Sequence, residues 1–394
     1  MAQQFNDRVA NFASMLDQTT IDQVNQLATM DFVYPHIALM PDAHSGKGSA
    51  VGTVIPTKCA VMPAAVGVDI GCGMIAVKTR FVMNDMEGKK TSELRADIED
   101  AIPLSPGNYN KDNHRFSFTK AKHEELIKLQ QRLDVDLSHS PKWMEQLGSL
   151  GGGNHFIELC LDEIDNVWLF LHSGSRGVGN NIASTHIMQA QLWCKMNDVS
   201  LPHPDLAYLE EGTDGFDRYI KDLEWAQRFA YLNRAEMMDR FVVVFAKWLG
   251  VQAQRVEIER VNCHHNYTVK MNTFCDEGVW LTRKGAIDAS EGKLGLIPGS
   301  MGTQSYVVRG KGNTESLWSA PHGAGRKYSR TKAKELFTEE DLAKQMEGIE
   351  YRHGPQWIDE IPSCYKPICT VMEDADPLVE VVAELRQLLN VKGT

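Results

Sequence analysis

The sequence predicts an α+β protein, in which helices and strands occupy separate stretches of the chain. Three observations support this prediction. Helical periodicity fills several long stretches, glycine-rich and β-branched segments with strand patterns lie between them, and no internal repeat, low-complexity tract or linker interrupts the 394 residues. A chain of this length can form one large domain or two ordinary ones. Because no shift in composition divides it, we predict a single domain over residues 1–394.

The first half of the chain is predicted to begin with a helix and to continue with strands. Residues 1–30 form an N-terminal helical segment, because "FNDRVANFASMLDQTTIDQVNQLATM" repeats apolar residues at intervals of three and four. Residues 36–80 are rich in glycine and β-branched residues, which predicts short strands joined by tight turns. Residues 91–150 are mostly polar and are predicted to be helical.

The second half alternates between strands and helices. The segments "FIELCL" and "VWLFLHSGSRG" are predicted to be buried strands, and the second ends in a glycine turn. Residues 184–249 form a helical, insertion-like region, in which "LEWAQRFAYLNRAEMMDRFVVVFAKWLG" makes one long helix or two. Strand patterns return over residues 256–325, and a charged, helical tail closes on "VAELRQLLNVKGT".

Composition excludes some classes of protein. The formal net charge of -11 excludes a global basic field that would attract nucleic acid, although a local patch can still bind it. The longest apolar stretch, near "CAVMPAAVGV", is too short to span a bilayer and is interrupted by proline. The eight cysteines form no C-x-x-C pair, and the first residues lack a charged-then-apolar signal pattern. We therefore expect a cytoplasmic protein with reduced thiols and no membrane association.

Histidine, aspartate and cysteine side chains recur beside glycines and at strand ends. They lie in "PDAH", "DIGC", "GNHF", "LHSG", "NCHH" and "APHG", and they are Asp42, Asp69, Cys72, His155, His172, His265 and His322. Such positions place side chains at the rim of a sheet, where sites are usually built. Imidazole suits Mn, Zn, Fe, Co or Ni, and a carboxylate favours harder ions such as Mn²⁺.

The alternative for each of these residues is a packed core side chain, which is the commoner role of a single buried cysteine or histidine. Cys72 by itself is equally compatible with core packing, nucleophilic attack or metal ligation. The shared glycine-rich setting of the whole set favours a metal site.

Two further segments have the composition of phosphate-binding sites. The turn "IPGSMGTQS" offers backbone N–H groups and hydroxyls to an anion, but it lacks P-loop spacing and can also be a structural turn. The segment "HGAGRKYSRTKAK" places Arg326, Lys327 and Arg330 in a local basic patch beside His322. This patch contacts phosphate or RNA, or it is a solvated helix face balanced by the acidic "ELFTEED" that follows.

Taken together, the motifs resemble the RtcB family of RNA ligases over nearly the whole chain. The resemblance rests on "MPDAHSGKGSAVGTVIPT", "AAVGVDIGCGM", "LGGGNHFIE", "LHSGSRGVGN", "NCHHNY", "IPGSMGTQSY" and "HGAGR", which occur in the family's order. The resemblance implies a single-domain fold with a mixed β-sheet core flanked by helices.

The resemblance also implies an activity. Such ligases use GTP and two Mn²⁺ ions per site to join an RNA 3′-phosphate or 2′,3′-cyclic phosphate end to a 5′-hydroxyl end, in tRNA splicing or RNA repair. The histidine that becomes guanylylated matches His322, and Asp42 would hold its ring through the other nitrogen. The metal ligands match Asp69, Cys72, His155, His172 and His265, with Cys72 bridging the two ions.

The resemblance to the family also implies the remaining site residues. The guanylate contacts match Asn154, His155, Phe156, Ile157, Glu158, His265, Asn266, Pro298, Gly299, Ser300, Met301, Ser305, His322, Gly323, Ala324, Gly325 and Lys392. Arg176 in "SGSRG" is predicted to bind an RNA phosphate, with the basic patch as a second RNA contact.

Three residues depart from the family's pattern. They are Lys327 and Tyr328, where relatives usually have apolar residues, and Met271, where an acidic residue is common. These departures leave substrate preference and the need for an activating protein partner open. Two other functions compete with the ligase: a dinuclear metal phosphoesterase acting on RNA ends, and a non-catalytic RNA-binding subunit. The presence of His322 and "PGSMGTQS" argues against the first, and the complete ligand set argues against the second.

Overall fold

A computed structural model describes residues 6–274 and 276–394. Its strands are β1 (Val9–Asn11), β2 (Ile37–His44), β3 (Val51–Thr57), β4 (Ala60–Val61), β5 (Gly73–Val82), β6 (Phe156–Leu161), β7 (Asn166–Ser173), β8 (Leu209–Glu210), β9 (Glu257–His264), β10 (Asn266–Met271), β11 (Val279–Lys284), β12 (Ala286–Asp288), β13 (Leu294–Ile297), β14 (Ser305–Gly310), β15 (Ser319–Pro321) and β16 (Val379–Val391).

The helices cover the remaining long segments. They are α1 (Gln18–Ala28), α2 (Pro63–Val66), α3 (Thr91–Ala101), α4 (Thr119–Leu133), α5 (Trp143–Gln146), α6 (Arg176–Met196), α7 (Asp214–Leu249), α8 (Arg330–Leu336), α9 (Glu339–Gln345) and α10 (Ile368–Asp374). Short 3-10 turns lie at Met83–Met86, Pro204–Leu206, Ala253–Arg255, Pro355–Glu360 and Pro362–Cys364. The predicted α+β class is confirmed.

The largest sheet has seven strands in the order β13-β14-β16-β6-β7-β5-β9, and neighbouring strands are antiparallel. Both faces are buried. One face packs against α3 and α7 in a core that includes Ile157, Leu169 and Phe241. The other face contributes Phe156 and Phe170 to a core shared with the second sheet. Consecutive residues of β6 therefore serve opposite cores, as strand alternation requires.

A second sheet of five strands has the order β1-β2-β3-β11-β10. Its first pair is parallel and the other pairs are antiparallel, so this sheet is mixed. The two sheets are connected directly where β9 of the large sheet continues into β10 of the smaller one. His265 lies at that junction, between the two strands.

Helix α7 runs through the centre of the molecule. Thr213 caps its first turn, and Gly250, at φ 81°, ends it in the left-handed conformation that glycine adopts without strain. Within the predicted insertion-like region of residues 184–249, α7 packs on β5, β7 and β9 and buries Trp225 and Phe229 completely. The segment between α6 and α7 contains only the 3-10 turn at Pro204–Leu206 and the short strand β8.

Two predictions of secondary structure are wrong. Residues 9–11 form a strand rather than helix, and the N-terminal helix covers only Gln18–Ala28; residues 1–5 lie outside the described part of the chain. The C-terminal tail contains α8, α9 and α10 as predicted, but its closing segment is not helical. Residues of that segment form β16, which pairs with β14 and β6 in the middle of the large sheet. These sheet contacts override the helical propensity of "AELRQLL".

The described residues also bear on the predicted redox state and membrane association. The cysteines among them are all free thiols, and Cys275 lies outside the described residues. Over residues 6–274 and 276–394, no helix is both long and apolar enough to cross a membrane.

Candidate metal centre and nucleotide cavity

The topology of the large sheet gathers the predicted metal ligands at one edge. Cys72 immediately precedes β5, His155 immediately precedes β6, and His172 lies near the end of β7. The order β6-β7-β5-β9 is antiparallel throughout, so the starts of β5 and β6 meet the ends of β7 and β9. His265 follows β9, and Asp69 lies in the turn before Cys72.

The five side chains form two groups that share Cys72. Asp69, Cys72 and His155 make one group, and Cys72, His172 and His265 make the other; within each group the ligand atoms lie within 4.8 Å of one another. The Cys72 Sγ lies 3.4 Å from His155 Nε2 and 3.2 Å from His172 Nε2. The structure thus brings the predicted ligands together, with the thiol between the two groups.

The donor atoms fit bound cations. The Nδ1 of His155 lies 2.9 Å from the Leu150 carbonyl oxygen, and the Nδ1 of His172 lies 3.2 Å from that of Asn154. A carbonyl only accepts hydrogen bonds, so each Nδ1 carries the proton and each Nε2 presents a lone pair. The Nε2 atoms of His172 and His265 lie only 2.8 Å apart. The Nδ1 of His265 faces the acceptor Asn266 Oδ1 at 3.1 Å, so its Nε2 also presents a lone pair. Two lone pairs this close repel each other unless a cation lies beside them.

Burial sets the protonation of these ligands. Burial and the neighbouring imidazoles lower the pKa values of His172 and His265 far below the usual range, which keeps both rings in the neutral form that binds metal. Burial raises the pKa of Asp69, but the contact of its carboxylate with the His155 imidazole, 3.0 Å from Nε2, and the positive charge of Arg176 outweigh burial and hold this pKa below its usual range. Burial and Asp69 raise the pKa of the Cys72 thiol. Binding of a cation favours the thiolate.

His322 follows β15 and is held by Asp42 of β2. The His322 Nδ1 and Asp42 Oδ2 atoms lie 2.6 Å apart, although the pair does not have hydrogen-bond geometry. The same carboxylate oxygen accepts the backbone N–H groups of His322, at 3.1 Å, and of Gly323, at 3.2 Å. In the described part of the chain, His322 Nε2 makes no hydrogen bond, and the ring lies 4.5 Å from the ring of His265.

A cavity of about 300 Å³ opens beside His322 and the second ligand group. Most of the predicted guanylate contacts line it: Asn154, Phe156, His265, Asn266, Pro298, Gly299, Ser300, Met301, His322, Gly323, Ala324, Gly325 and Lys392. A volume of this size is at the lower end for a small-molecule site.

Four predicted guanylate residues do not line the cavity: His155, Ile157, Glu158 and Ser305. The Ile157 side chain lies in the helix-side core, because it points to the other face of β6. Glu158 is buried behind the cavity wall and accepts a 2.7 Å hydrogen bond from Asn390. Burial raises the pKa of Glu158 to about 8.

The cavity also contains charged residues that the sequence analysis missed. Lys284, at the end of β11, is buried among the lining residues, and burial lowers its pKa to about 7. Its Nζ donates to the Lys47 carbonyl. The segment "VWLTRKGAI" could have indicated Lys284 as a site residue, because a lysine within a buried strand needs a partner or a function. Glu360 and Tyr365 line the same cavity.

The basic patch is split by the structure. Arg326 and Arg330 line the cavity and pair with Glu360, as does Lys392 at 2.9 Å. Lys327 is exposed, with its Nζ 5.2 Å from the centre of the Tyr328 ring. The two arginines therefore line the cavity, whereas Lys327 lies on the surface.

A second cavity, also of about 300 Å³, reaches the first ligand group from another side. It is lined by Asp69, His155 and Arg176, with Asn154 common to both cavities. Arg176 packs on Gly151, where an added Cβ would lie 1.9 Å from the guanidinium. The predicted RNA-binding arginine thus lies beside the candidate metal ligands, in a cavity that shares only Asn154 with the first cavity.

Comparison with known proteins agrees with this site. The family model described as "tRNA-splicing ligase RtcB" matches residues 23–393. The chain is 46% identical to the RNA-splicing ligase RtcB of Escherichia coli K12, over 94% of this chain and 93% of that protein. It is 28% identical to the tRNA-splicing ligase RtcB of Methanococcus maripaludis, over 96% of this chain and 92% of that protein.

These matches cover almost the full length of the chain and of the relatives, and the chain is accordingly an RNA ligase. Within that class it belongs to the RtcB family.

Proposed function

We propose that this RNA ligase uses GTP to join an RNA end bearing a 3′-phosphate or 2′,3′-cyclic phosphate to an end bearing a 5′-hydroxyl. Its substrates would be the ends produced in tRNA splicing or RNA repair. The observation that supports this proposal best is the placement of His322. Its Nδ1 is held by Asp42, and its ring lies beside His265 at the wall of the nucleotide cavity.

Two Mn²⁺ ions would be held by the two ligand groups, one by Asp69, Cys72 and His155 and the other by Cys72, His172 and His265. When bound, they supply positive charge that neutralises phosphate oxygens and polarises the attacked phosphorus. The shared Cys72 would carry the negative charge that lets two cations lie close together.

His322 is the proposed nucleophile of the first step. Contact with Asp42 favours the tautomer with the proton on Nδ1, which leaves the Nε2 lone pair free to attack. The bond between Nε2 and the α-phosphorus of GTP forms as the bond to the β-phosphate oxygen breaks, and pyrophosphate leaves. Lys284, Arg326 and Arg330 line the same cavity and offer positive charge to the phosphates.

The second cavity would hold the RNA end. The 3′-phosphate, held by Arg176, attacks the α-phosphorus on His322, so that GMP moves to the RNA and Nε2 is released. The 5′-hydroxyl then attacks the RNA phosphorus and expels GMP. A 2′,3′-cyclic phosphate is first opened by water. This sequence uses both cavities and the centre between them.

Covalent labelling tests this proposal. The wild-type protein is incubated with α-labelled GTP and Mn²⁺, denatured, and examined for bound label. We expect acid-labile label in the wild type and in the control His114→Ala, which changes an exposed histidine. We expect none in His322→Ala. A wild-type protein without label, or hydrolysis of a model phosphodiester that survives His322→Ala, would favour a phosphoesterase instead.

A further inference from the structure

A fully buried arginine lies directly behind the metal centre. Arg234 is in the middle of α7 and has no solvent-exposed surface. Its guanidinium donates to the carbonyl oxygens of Gly71, at 2.7 Å, and Ser173, at 3.1 Å. It also donates to Asn262 Oδ1 at 2.9 Å, and its Nη2 lies 3.1 Å from His264 Nδ1.

Three of these partners are chain neighbours of metal ligands. Gly71 precedes Cys72, Ser173 follows His172, and His264 precedes His265. A single planar group thus connects the three separate segments that supply the second ligand group. The neighbouring Asn233 reinforces one of them, because its Nδ2 donates to the Gly174 carbonyl oxygen at 3.0 Å.

The charge of Arg234 has no ordinary partner. Across residues 6–274 and 276–394, no carboxylate forms an ion pair with it. Burying a guanidinium without an anion is costly, and carbonyl dipoles offset only part of that cost. Two of the proposed metal ligands, Asp69 and Cys72, are among the acidic groups whose negative form would favour the Arg234 cation. An apolar side chain would pack α7 on the sheet at lower cost.

We propose that Arg234 is a positioning residue that sets the geometry of the Cys72, His172 and His265 ligand group. This inference rests on the proposed function, since it assumes that the group binds metal. The N–H groups of the Arg234 guanidinium hold the turns before Cys72 and after His172 against the end of β9. It also places a fixed positive charge behind the shared thiol.

The alternative is a purely structural role, and α7 offers a matched control. Arg240 is also almost completely buried, but it pairs with Glu236 at 3.0 Å and donates to the carbonyl oxygens of Ala101 and Gly148, which do not adjoin metal ligands. Loss of the guanidinium hydrogen bonds of either arginine should lower the free energy of unfolding. Only loss of those of Arg234 should change the geometry of the proposed metal centre.

The test measures Co²⁺ binding to the full chain, using the thiolate-to-cobalt charge-transfer absorption as the signature of Cys72 ligation. The wild type should show this band, and Cys72→Ser should lose it; a wild type without the band would contradict the proposed metal centre itself. With the band established, we expect Arg234→Lys to bind Co²⁺ about 10- to 100-fold more weakly, with an altered band. Arg240→Lys should match the wild type in both respects.

Wild-type affinity and an unaltered band in a folded Arg234→Lys would overturn the inference, as would an equal loss in Arg240→Lys. If Arg234→Lys fails to fold, Asn262→Ala decides the question, because it removes the acceptor of the Arg234 Nε while leaving the charge in place. Weaker Co²⁺ binding by Asn262→Ala supports the positioning role, and wild-type binding rejects it.

Discussion

At the scale of single residues, the sequence predicted the chemical types of the site residues better than it predicted their arrangement in space. The motifs indicated which histidines, aspartates and cysteine form a site, but Cys72 alone was equally consistent with core packing, attack or ligation. Only the fold shows it between two ligand groups. Lys284 could have been noticed as a lysine within a predicted buried strand, but nothing local to its sequence or to that of Glu360 shows that β11 and a distant 3-10 turn line one cavity.

Asp42 provides the first prediction at this scale. Asp42→Asn keeps the size of the side chain but lets an amide donate to His322 Nδ1, which favours the tautomer with the proton on the attacking Nε2. We expect guanylylation to slow by about 10²- to 10⁴-fold, by analogy with the loss of the carboxylate that orients a catalytic histidine. Labelling with α-labelled GTP over time measures this rate, and the exposed Asp22→Asn is the control. Mn²⁺ binding should not change, and an unchanged guanylylation rate would contradict the role of Asp42.

Lys284 provides a pH-dependent prediction. Its pKa in the folded protein is about 7, so the side chain is charged below pH 7 and neutral above it. Phosphates favour the charged form, and GTP affinity should therefore fall as the pH rises, by up to about fivefold between pH 7 and pH 8. Titrations with a fluorescent GTP analogue measure this change. In Lys284→Met the GTP affinity should be low at every pH. If this variant keeps the pH dependence of the wild type, Lys284 is not the group that causes it.

At the scale of elements, helix and strand patterns predicted most of the sheet correctly but not its last strand. β16 contains "AELRQLL", which has strong helix formers, and its burial alternates only from Ala383 to Leu389. The segment becomes a strand because β14 and β6 offer unpaired edges on both sides. Those partners are more than 70 residues away in sequence, so no local pattern contains them.

The glycine loop before β6 yields a prediction that separates the reaction steps. In Gly151→Ala the added Cβ would displace the Arg176 guanidinium. We expect ligation to fall by about 10²-fold, as misplaced catalytic groups typically cause, while guanylylation persists. Gel assays of RNA joining and GTP labelling measure the two steps. Gly107→Ala is the matched control, because Gly107 also has a positive φ, at 78°, but no atom lies near its Cβ position. Loss of guanylylation in Gly151→Ala would contradict the proposal that GTP and the RNA end bind in separate cavities.

At the scale of the whole molecule, the net charge of -11 excluded a global attraction to nucleic acid, and the structure shows where positive charge is concentrated instead. Arg326, Arg330 and Lys392 meet in one cavity, and Arg176 lies in the other. The strand order of the large sheet, which places the lining residues of both cavities near one another, could not be deduced from sequence patterns. It depends on pairings between strands that are distant in sequence.

Metal binding should stabilise the entire fold, because the proposed ligands lie at the ends of the central strands and are brought together only when these strands are assembled. Mn²⁺ at 100 times its dissociation constant adds about 2.7 kcal/mol to the free energy of unfolding. We expect thermal scans to show a Tm higher by a few degrees with Mn²⁺ than with a chelator. Cys72→Ser should lose most of this increase, whereas Cys59→Ser, at an exposed cysteine, should keep it. Equal increases in both variants would argue against a shared thiolate ligand.

The most direct test of the central claim follows the fate of the RNA phosphate. An RNA with a labelled 3′-phosphate is incubated with a 5′-hydroxyl RNA, GTP, Mn²⁺ and the protein, and the joined product is digested to nucleotides. Our account predicts that the label lies in the phosphodiester of the junction and that joining requires GTP and His322. Release of the label as inorganic phosphate, or joining that persists without GTP or in His322→Ala, would contradict it.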